Sequence, residues 1–245
     1  NIHYGNSLVD STKTNQSDIE YINPFDFGEE KFDIIVGNPP YMATEHIKRF
    51  TPLELPIYKE FFDSSYMQFD KYFLFIERGF NLLNSNGVLG YIIPSKFAKV
   101  GAGKKLRGLL SDKKAVEKII SFGANQIFKD KTTYTCILIL KKTDQNSLLY
   151  HEVEKLENWK AKNYTVNYDG VEFSSLNEET WILMPNQLKS LFYDISSQSI
   201  ELGSLIGSEN IFNGIQTSKN DIYIHTLTRE DDNYLFFNLD ESEWK

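Results

Sequence analysis

Residues 32–41 read Phe-Asp-Ile-Ile-Val-Gly-Asn-Pro-Pro-Tyr. The first five residues form a short apolar, β-branched run, and the glycine and the two prolines that follow end it abruptly. A continuous apolar run of this length, closed by turn residues, is typical of a parallel strand buried on both faces. The stretch therefore predicts a buried strand whose carboxyl end delivers the loop 38–41 to the edge of a sheet.

The sequence around this stretch alternates between predicted strands and helices. Apolar residues recur at helical spacing over 72–83, and a second helix is predicted at 104–110. Buried strands are predicted at 88–93, 116–122 and 134–140. This alternation predicts an α/β fold with a mostly parallel sheet and helices on its faces.

The character of the sequence changes after Lys142. Residues 143–180 are polar, with weakly alternating segments and no strong helix, and a further helix is predicted at 185–195 before several short apolar pieces. We therefore expect a first domain at 1–142, a connecting segment at 143–180 and the start of a second module at 181–245.

The composition is that of an ordinary globular protein, with 245 residues of which 41% are hydrophobic. The single cysteine, Cys136, excludes a disulfide framework and indicates a reducing, cytoplasmic environment. No apolar run reaches the roughly 18 residues that a membrane helix needs. The four histidines are scattered without the spacing of zinc ligands, so no metal site is expected.

The net charge of −8 conceals a basic segment. Residues 96–118 carry eight basic and two acidic side chains. A phosphate backbone responds to the field of one face of a protein rather than to its total charge. The alternative interpretation is a solvated helix surface. Five residues of the segment are candidate contacts to a DNA backbone: Lys96, Lys99, Lys104, Lys105 and Arg107.

The loop at 38–41 has a recognisable chemistry. The amide oxygen of Asn38 and the carbonyl oxygen of Pro39 are acceptors on a stiff backbone, and the two prolines remove competing N–H donors. Tyr41 adds a flat ring for stacking. Acceptors beside an aromatic face suit an exocyclic amino group on a planar ring, although a rigid connector without a ligand is the alternative interpretation.

With these residues in place, the sequence resembles the N6-adenine-specific DNA methyltransferases of bacterial restriction–modification systems, in the gamma-type order of motifs. The resemblance rests on 32–41 with its NPPY motif, on the helix 71–77, and on the strands 87–95 and 134–140. It implies a truncated, Rossmann-like sheet of an S-adenosylmethionine-dependent methyltransferase, followed by the start of a mixed α+β target-recognition domain. It also implies S-adenosylmethionine as the methyl donor and double-stranded DNA as the substrate.

The family's catalytic roles can be carried over to the NPPY residues. Asn38 and Pro39 would accept hydrogen bonds from the adenine N6 amino group, within the corner completed by Pro40, and Tyr41 would stack on the flipped-out base. The family usually closes the other face of the base with a second aromatic ring, for which Phe128 is the candidate. Phe128 is equally interpretable as a loop aromatic that faces the core.

On the cofactor side, the segment that starts with Gly5 resembles the one that contacts the adenine of the donor. The resemblance places Asn6, Ser7 and Phe75 near the cofactor, together with Asn38 and Pro40. The family commonly has an acidic residue where Asn6 stands, and a neutral acceptor binds an amino group more weakly than a charged one. Phe75 is also interpretable as a core residue.

The largest departure from the family is an absence. No acidic-x-x-x-Gly-x-Gly loop precedes Asn38 in this sequence, so the donor site is incomplete. We therefore expect the chain by itself to bind S-adenosylmethionine weakly or not at all and to be inactive. The Gly-containing stretch 213–220 resembles a turn of a target-recognition domain, and any endonuclease domain or subunit is expected outside this chain.

Two other functions remain open at this point. A glutamine-side-chain or RNA methyltransferase shares a similar acceptor loop, but such chains usually end soon after the last sheet strand. A non-catalytic DNA-binding fragment would retain base capture without the donor loop.

Overall fold

A computed structural model of the chain describes residues 2–128, 133–161 and 165–211, and beyond these the strands at 226–230, 233–238 and 243–244. The helices are α1 (Ile19–Ile22), α2 (Thr44–Phe50), α3 (Glu54–Phe61), α4 (Lys71–Asn81), α5 (Lys104–Asp112), α6 (Leu156–Lys160), α7 (Asn186–Gln198) and α8 (Leu202–Ile206). The strands are β1 (Phe32–Gly37), β2 (Leu83–Pro94), β3 (Val116–Ser121), β4 (Thr135–Lys141), β5 (Ser147–Glu152), β6 (Asp169–Glu172), β7 (Thr226–Glu230), β8 (Asn233–Asn238) and β9 (Glu243–Trp244).

Six strands form one mixed sheet in the order β1-β2-β4-β3-β5-β6. β1 runs parallel to β2 and β3 parallel to β5, whereas β4 is antiparallel to both of its neighbours and β6 is antiparallel to β5. The α/β class is confirmed, but the sheet is mixed where the sequence predicted a mostly parallel one. The apolar run of β4 indicates burial and carries no information about strand direction.

One part of the core lies between the sheet and α4. Tyr72, Phe73 and Ile76 on α4 are fully buried, as is Leu89 on β2. A methyl group in place of the hydrogen at Gly79 would collide with the Leu89 side chain, so this glycine allows α4 to lie close against β2. Close packing of α4 fixes β2, and through β2 it fixes the position of β1.

β1 differs from its prediction as a buried strand. Ile34 and Val36 are 71% and 78% exposed, and among the described strands β1 pairs only with β2. The apolar, β-branched composition is correct for a strand, but the edge position leaves one face uncovered. Ile35, which points to the opposite face, packs against the core.

The division of the chain also differs from the expected one. The stretch 143–180, expected as a connecting segment, supplies β5 and β6 to the six-stranded sheet, and one compact unit covers Asn1–Leu191. The second unit, Phe192–Lys245, contains a three-stranded antiparallel sheet made of β7, β8 and β9. A short strand such as β6, with four residues, leaves too little periodicity to be recognised in sequence.

None of the helices among the described residues has both the length and the apolar character needed to cross a bilayer. In the same part of the chain, no group of three or more His, Cys, Asp or Glu side chains is arranged to hold a metal ion.

Candidate functional site

The corner after β1 presents the Asn38 side chain to solvent. Asn38 and Pro40 are exposed, whereas Pro39 between them is buried and anchors the turn. Within the described residues, the Asn38 amide makes no hydrogen bond. An unpartnered amide on a proline-stiffened turn is available to a ligand without breaking any contact of the fold.

Tyr41 is held in place on the inner side of this corner. Its hydroxyl donates a hydrogen bond of 3.0 Å to the carbonyl oxygen of Ile92, and its ring lies edge-on to Tyr72 at 6.1 Å between centroids. Burial raises the pKa of Tyr41 to about 12. The side chain is therefore a neutral, oriented aromatic surface at ordinary pH.

The structure brings Phe128 to the same place. The centroids of Tyr41 and Phe128 lie 6.5 Å apart, with ring planes inclined by 70°. For one planar ring to stack in parallel between the two aromatic side chains, their rings must be separated by roughly twice the 3.5 Å contact distance. One of the two rings must also rotate. The two residues that the sequence assigned to base stacking are thus neighbours, in an orientation that is not yet parallel.

A cavity of about 790 Å³ opens beside Tyr41, at the ends of β2, β3 and β5. This volume falls within the range of small-molecule sites, roughly 300–1,000 Å³. Its wall includes Asp70, Ser95, Lys96, Ser121, Tyr134, Cys136, Glu152 and Trp181. Burial raises the pKa of the Cys136 thiol to about 12, so this cysteine is protonated and has no nucleophilic role.

Unlike the Asn38 amide, the Asn6 side chain is hydrogen-bonded within the protein. Asn6 Nδ2 donates to Glu54 Oε1 at 2.8 Å and to the Tyr58 hydroxyl at 3.2 Å, and Asn6 Oδ1 accepts from the Leu8 N–H at 3.1 Å. Lys71 Nζ pairs with Glu54 Oε2 at 2.8 Å. Sequence reasoning did not find Glu54, Tyr58 or Lys71, because they lie about fifty residues or more from Asn6 along the chain and carry no local motif.

The two other residues assigned to the cofactor are less constrained by polar contacts. Ser7 is partly exposed and precedes the buried pair Leu8 and Val9, which anchor the segment. Phe75 is partly buried and packs against the core from α4. Neither position contradicts a contact with a ligand at the surface of the segment.

Arg107 differs most from its sequence assignment. Its side chain is 2% exposed, and the guanidinium donates to the carbonyl oxygens of Phe97, Val100, Glu178 and Glu179 at 2.6–3.1 Å. A buried guanidinium with these partners is not available to a phosphate. Arg107 therefore joins the segment after β2 to the segment before Trp181, which is a structural role.

The four lysines of the same group are nearer to the surface. Lys96 pairs with Asp70 at 2.7 Å on the cavity wall. Lys104 lies 3.3 Å from Glu178 and 2.8 Å from Glu179, and these two partners raise the pKa of Lys104. Lys99 and Lys105 are exposed and have no ionic partner among the described residues. The stretch 213–220, assigned to a target-recognition turn, lies outside the described residues.

Comparison with known proteins gives this geometry a context. Residues 2–128, more than half of the chain, match the model of the family described as the Eco57I restriction-modification methylase. The type II restriction enzyme and methyltransferase RM.Eco57I of Escherichia coli is 47% identical over 247 residues, a match that covers the whole chain and 24% of that relative. The type II methyltransferase M.BstVI of Geobacillus stearothermophilus is 26% identical over 212 residues, which cover 79% of the chain and 37% of that relative.

Solved structures were also found. The methyltransferase subunit of a type I restriction-modification system from Streptococcus thermophilus aligns over 72% of the chain and 34% of its own length, with 19% identity and a TM-score of 0.40. A nuclease-deletion mutant of the type ISP enzyme LlaGI, in complex with a DNA substrate mimic, aligns over 64% of the chain and 18% of its own length, with 19% identity and a TM-score of 0.47. The chain spans only about a quarter of RM.Eco57I and about a third of M.BstVI. From the match of the family model, this chain belongs to the Eco57I restriction-modification methylases.

Proposed function

We propose that this chain holds the base-binding part of an enzyme that methylates the N6 amino group of adenine in DNA, within a restriction–modification system. The observation that carries the proposal is the exposed, unpartnered Asn38 amide on a stiff corner, three residues before an oriented Tyr41 ring that lies on the wall of an open cavity. This arrangement supplies an acceptor and a stacking surface from the same four-residue loop, which suits a planar ring with an amino group.

The proposed chemistry relies on positioning. Asn38 Oδ1 and the Pro39 carbonyl oxygen accept the two N–H groups of the adenine amine, which disfavours delocalisation of the nitrogen lone pair into the ring. Tyr41 stacks on the extruded base and returns about 1–3 kcal/mol of the few kcal/mol that flipping costs. The methylated amine is acidic and releases its proton afterwards, so no strong general base is needed.

S-adenosylmethionine, when bound, supplies an electrophilic methyl group. The polar groups of this chain fit one end of such a molecule. Asn6 Oδ1 keeps one lone pair after it accepts a hydrogen bond from the Leu8 N–H. Asn38 and Pro40, which follow directly after β1, are exposed. Ser7 and Phe75 complete the proposed contacts. The chain contains no Gly-rich donor loop upstream of Asn38, and this supports the proposal that the chain alone is inactive.

The proposed partner is double-stranded DNA. Lys96, Lys99, Lys104 and Lys105 are the candidate backbone contacts, with Arg107 withdrawn because it is buried. The start of target recognition, expected in 181–245, is proposed for the second unit, Phe192–Lys245, because Trp181 belongs to the core of the first unit. The name of RM.Eco57I combines restriction enzyme and methyltransferase, which supports an accompanying endonuclease activity outside this chain. The proposed methylation of bacterial DNA is also consistent with a cytoplasmic location.

The test is transfer of tritiated methyl groups from S-adenosylmethionine to unmodified DNA by the full-length gene product. Asn38→Ala is expected to lower the rate by about 10²–10³, the usual effect of removing one preorganised hydrogen-bond partner from a reacting group. The matched control is Asn146→Ala, because Asn146 is also exposed and lies in a loop away from the corner. DNA binding should be retained in both variants.

Three results would contradict the proposal. Label found in protein or RNA instead of DNA would favour a glutamine or RNA methyltransferase. Absence of transfer by the wild-type protein, with DNA still bound, would favour a non-catalytic DNA-binding function. Full activity of Asn38→Ala would exclude the assigned role of the corner.

A further inference from the structure

A compact polar cluster lies behind Asn6. Glu54 on α3 is 8% exposed and Tyr58, one turn later, is fully buried. The Tyr58 hydroxyl donates to Glu54 Oε2 at 2.8 Å, and Lys71 at the start of α4 pairs with the same oxygen at 2.8 Å. The other carboxylate oxygen, Oε1, accepts from Asn6 Nδ2 at 2.8 Å.

This cluster fixes which way the Asn6 amide faces. An ionised carboxylate only accepts hydrogen bonds, so the nitrogen of the amide must point toward Glu54 and the oxygen must point away. The Leu8 N–H donates to that oxygen at 3.1 Å and favours the same orientation. An asparagine without such partners can present either its amide oxygen or its amide nitrogen to a ligand, with similar free energies.

The cluster also strengthens the oxygen as an acceptor. When Nδ2 donates to a carboxylate, the amide is polarised and negative charge builds up on Oδ1, because hydrogen bonds in a chain reinforce one another. Bonds to charged groups are about twice as strong as neutral ones. Glu54 thus gives a neutral Asn6 part of the acceptor character of a carboxylate.

We propose that Glu54 is a positioning residue that makes the donor site select a purine with a 6-amino group over one with a 6-oxo group, acting through Asn6. The inference rests on the proposed function, in which Asn6 lies at the adenine of S-adenosylmethionine. One lone pair of Asn6 Oδ1 remains for the 6-amino group, whereas a 6-oxo group would face an oxygen that cannot turn away.

The experiment measures binding of two non-reactive ligands by calorimetry with the full-length gene product. The ligands are S-adenosylhomocysteine and S-inosylhomocysteine, in which an oxo group replaces the 6-amino group. Glu54→Gln keeps the size of the side chain but offers both a carbonyl and an amino group, so only the weaker, neutral bond from the Leu8 N–H still favours one orientation of the Asn6 amide. We expect the preference for the adenosyl ligand to fall on the order of tenfold, the effect of one charge-assisted hydrogen bond.

Glu60→Gln is the matched control. It makes the same change on the same helix at an exposed residue without a described side-chain partner, and it should leave both affinities unchanged. A loss of preference in Glu54→Gln alone supports the proposal. Equal weakening of both ligands, or an unchanged preference, overturns it, because a scaffold role does not distinguish the two purines.

Two further outcomes are separable. If the wild-type protein binds neither ligand, the proposed cofactor is wrong and the inference falls with it. If Glu54→Gln does not fold, Glu54→Asp decides the question, since it keeps the charge beside Lys71 while withdrawing the carboxylate from Asn6. A loss of preference in Glu54→Asp supports the inference, and a retained preference overturns it.

Discussion

Asn6 and Asn38 both lie outside the helices and strands, and their side chains differ in how many contacts they make within the protein. The side chain of Asn6 donates to Glu54 and Tyr58 and accepts from Leu8. That of Asn38 is exposed and bonded to no described group. The local sequence around each asparagine suggests a ligand contact, but only the contacts from distant segments show which amide the protein itself uses.

The same contrast holds among the basic residues of 96–118. Arg107 is buried and saturated by carbonyl oxygens, whereas Lys99 and Lys105, close to it in sequence, are exposed. A charge pattern in the sequence gives the number of basic side chains but does not show which of them are buried and bonded within the protein. Committed groups are those whose polar atoms bond to other parts of the protein, and open groups are exposed and have no such partner. Substitution of a committed group should lower the free energy of unfolding more than substitution of an open group.

The largest difference is expected between Arg107 and Lys105. Arg107→Met leaves four buried or partly buried carbonyl oxygens without their donor, so we expect a loss of roughly 3 kcal/mol in the free energy of unfolding. Lys105→Met should change it by less than about 0.5 kcal/mol, because the residue is exposed. Urea unfolding followed by tryptophan fluorescence measures both, since the buried Trp181 lies next to the Arg107 contacts.

If both variants are as stable as the wild-type protein, the Arg107 contacts contribute nothing net. A drop for Lys105→Met as large as that for Arg107→Met would show that exposure is a poor guide in this helix.

The second comparison sets Asn6→Ala against Asn38→Ala. Removing Asn6 deletes hydrogen bonds to a buried carboxylate and to a backbone N–H, and we expect a loss of about 2 kcal/mol in the free energy of unfolding. Asn38→Ala should lower it by less than about 0.5 kcal/mol, since its amide has no described partner to lose. Thermal unfolding of the purified variants is the measurement. Similar midpoints for the two variants would remove the distinction between a committed and an open amide.

The sequence was sufficient for the elements that carry strong periodicity. β1, β3, β4, α4 and α5 lie within about two residues of their predicted bounds, because their apolar residues recur at the spacing of a strand or a helix. Tyr41 and Phe128, which were predicted to stack on one base, are neighbours with ring centroids 6.5 Å apart, and their stacking role stays a prediction. Local composition and motif order determine these features.

The features that sequence reasoning missed depend on tertiary neighbours. β5 and β6 alternate too weakly to be recognised, and the exposure of Ile34 and Val36 depends on β1 lying at the edge of the sheet. The cluster of Glu54, Tyr58 and Lys71 around Asn6 is formed by helices that a local window does not connect. Hydrogen-bond partners at such separations leave no periodic signal in the sequence.

The smallest effect is expected for the exposed cations. Each phosphate contact contributes about 0.9 to the slope of log K against log salt concentration on duplex DNA, so Lys99→Gln should reduce that slope by roughly 0.9 if Lys99 contacts the backbone. Lys104→Gln should reduce it much less, because Glu178 and Glu179 already neutralise Lys104. Filter binding between 50 and 200 mM salt is about the range in which such slopes are resolved. If both substitutions change the slope equally, the ion pairs of Lys104 with Glu178 and Glu179 do not persist on DNA. The distinction between committed and open groups would then hold for the buried residues alone.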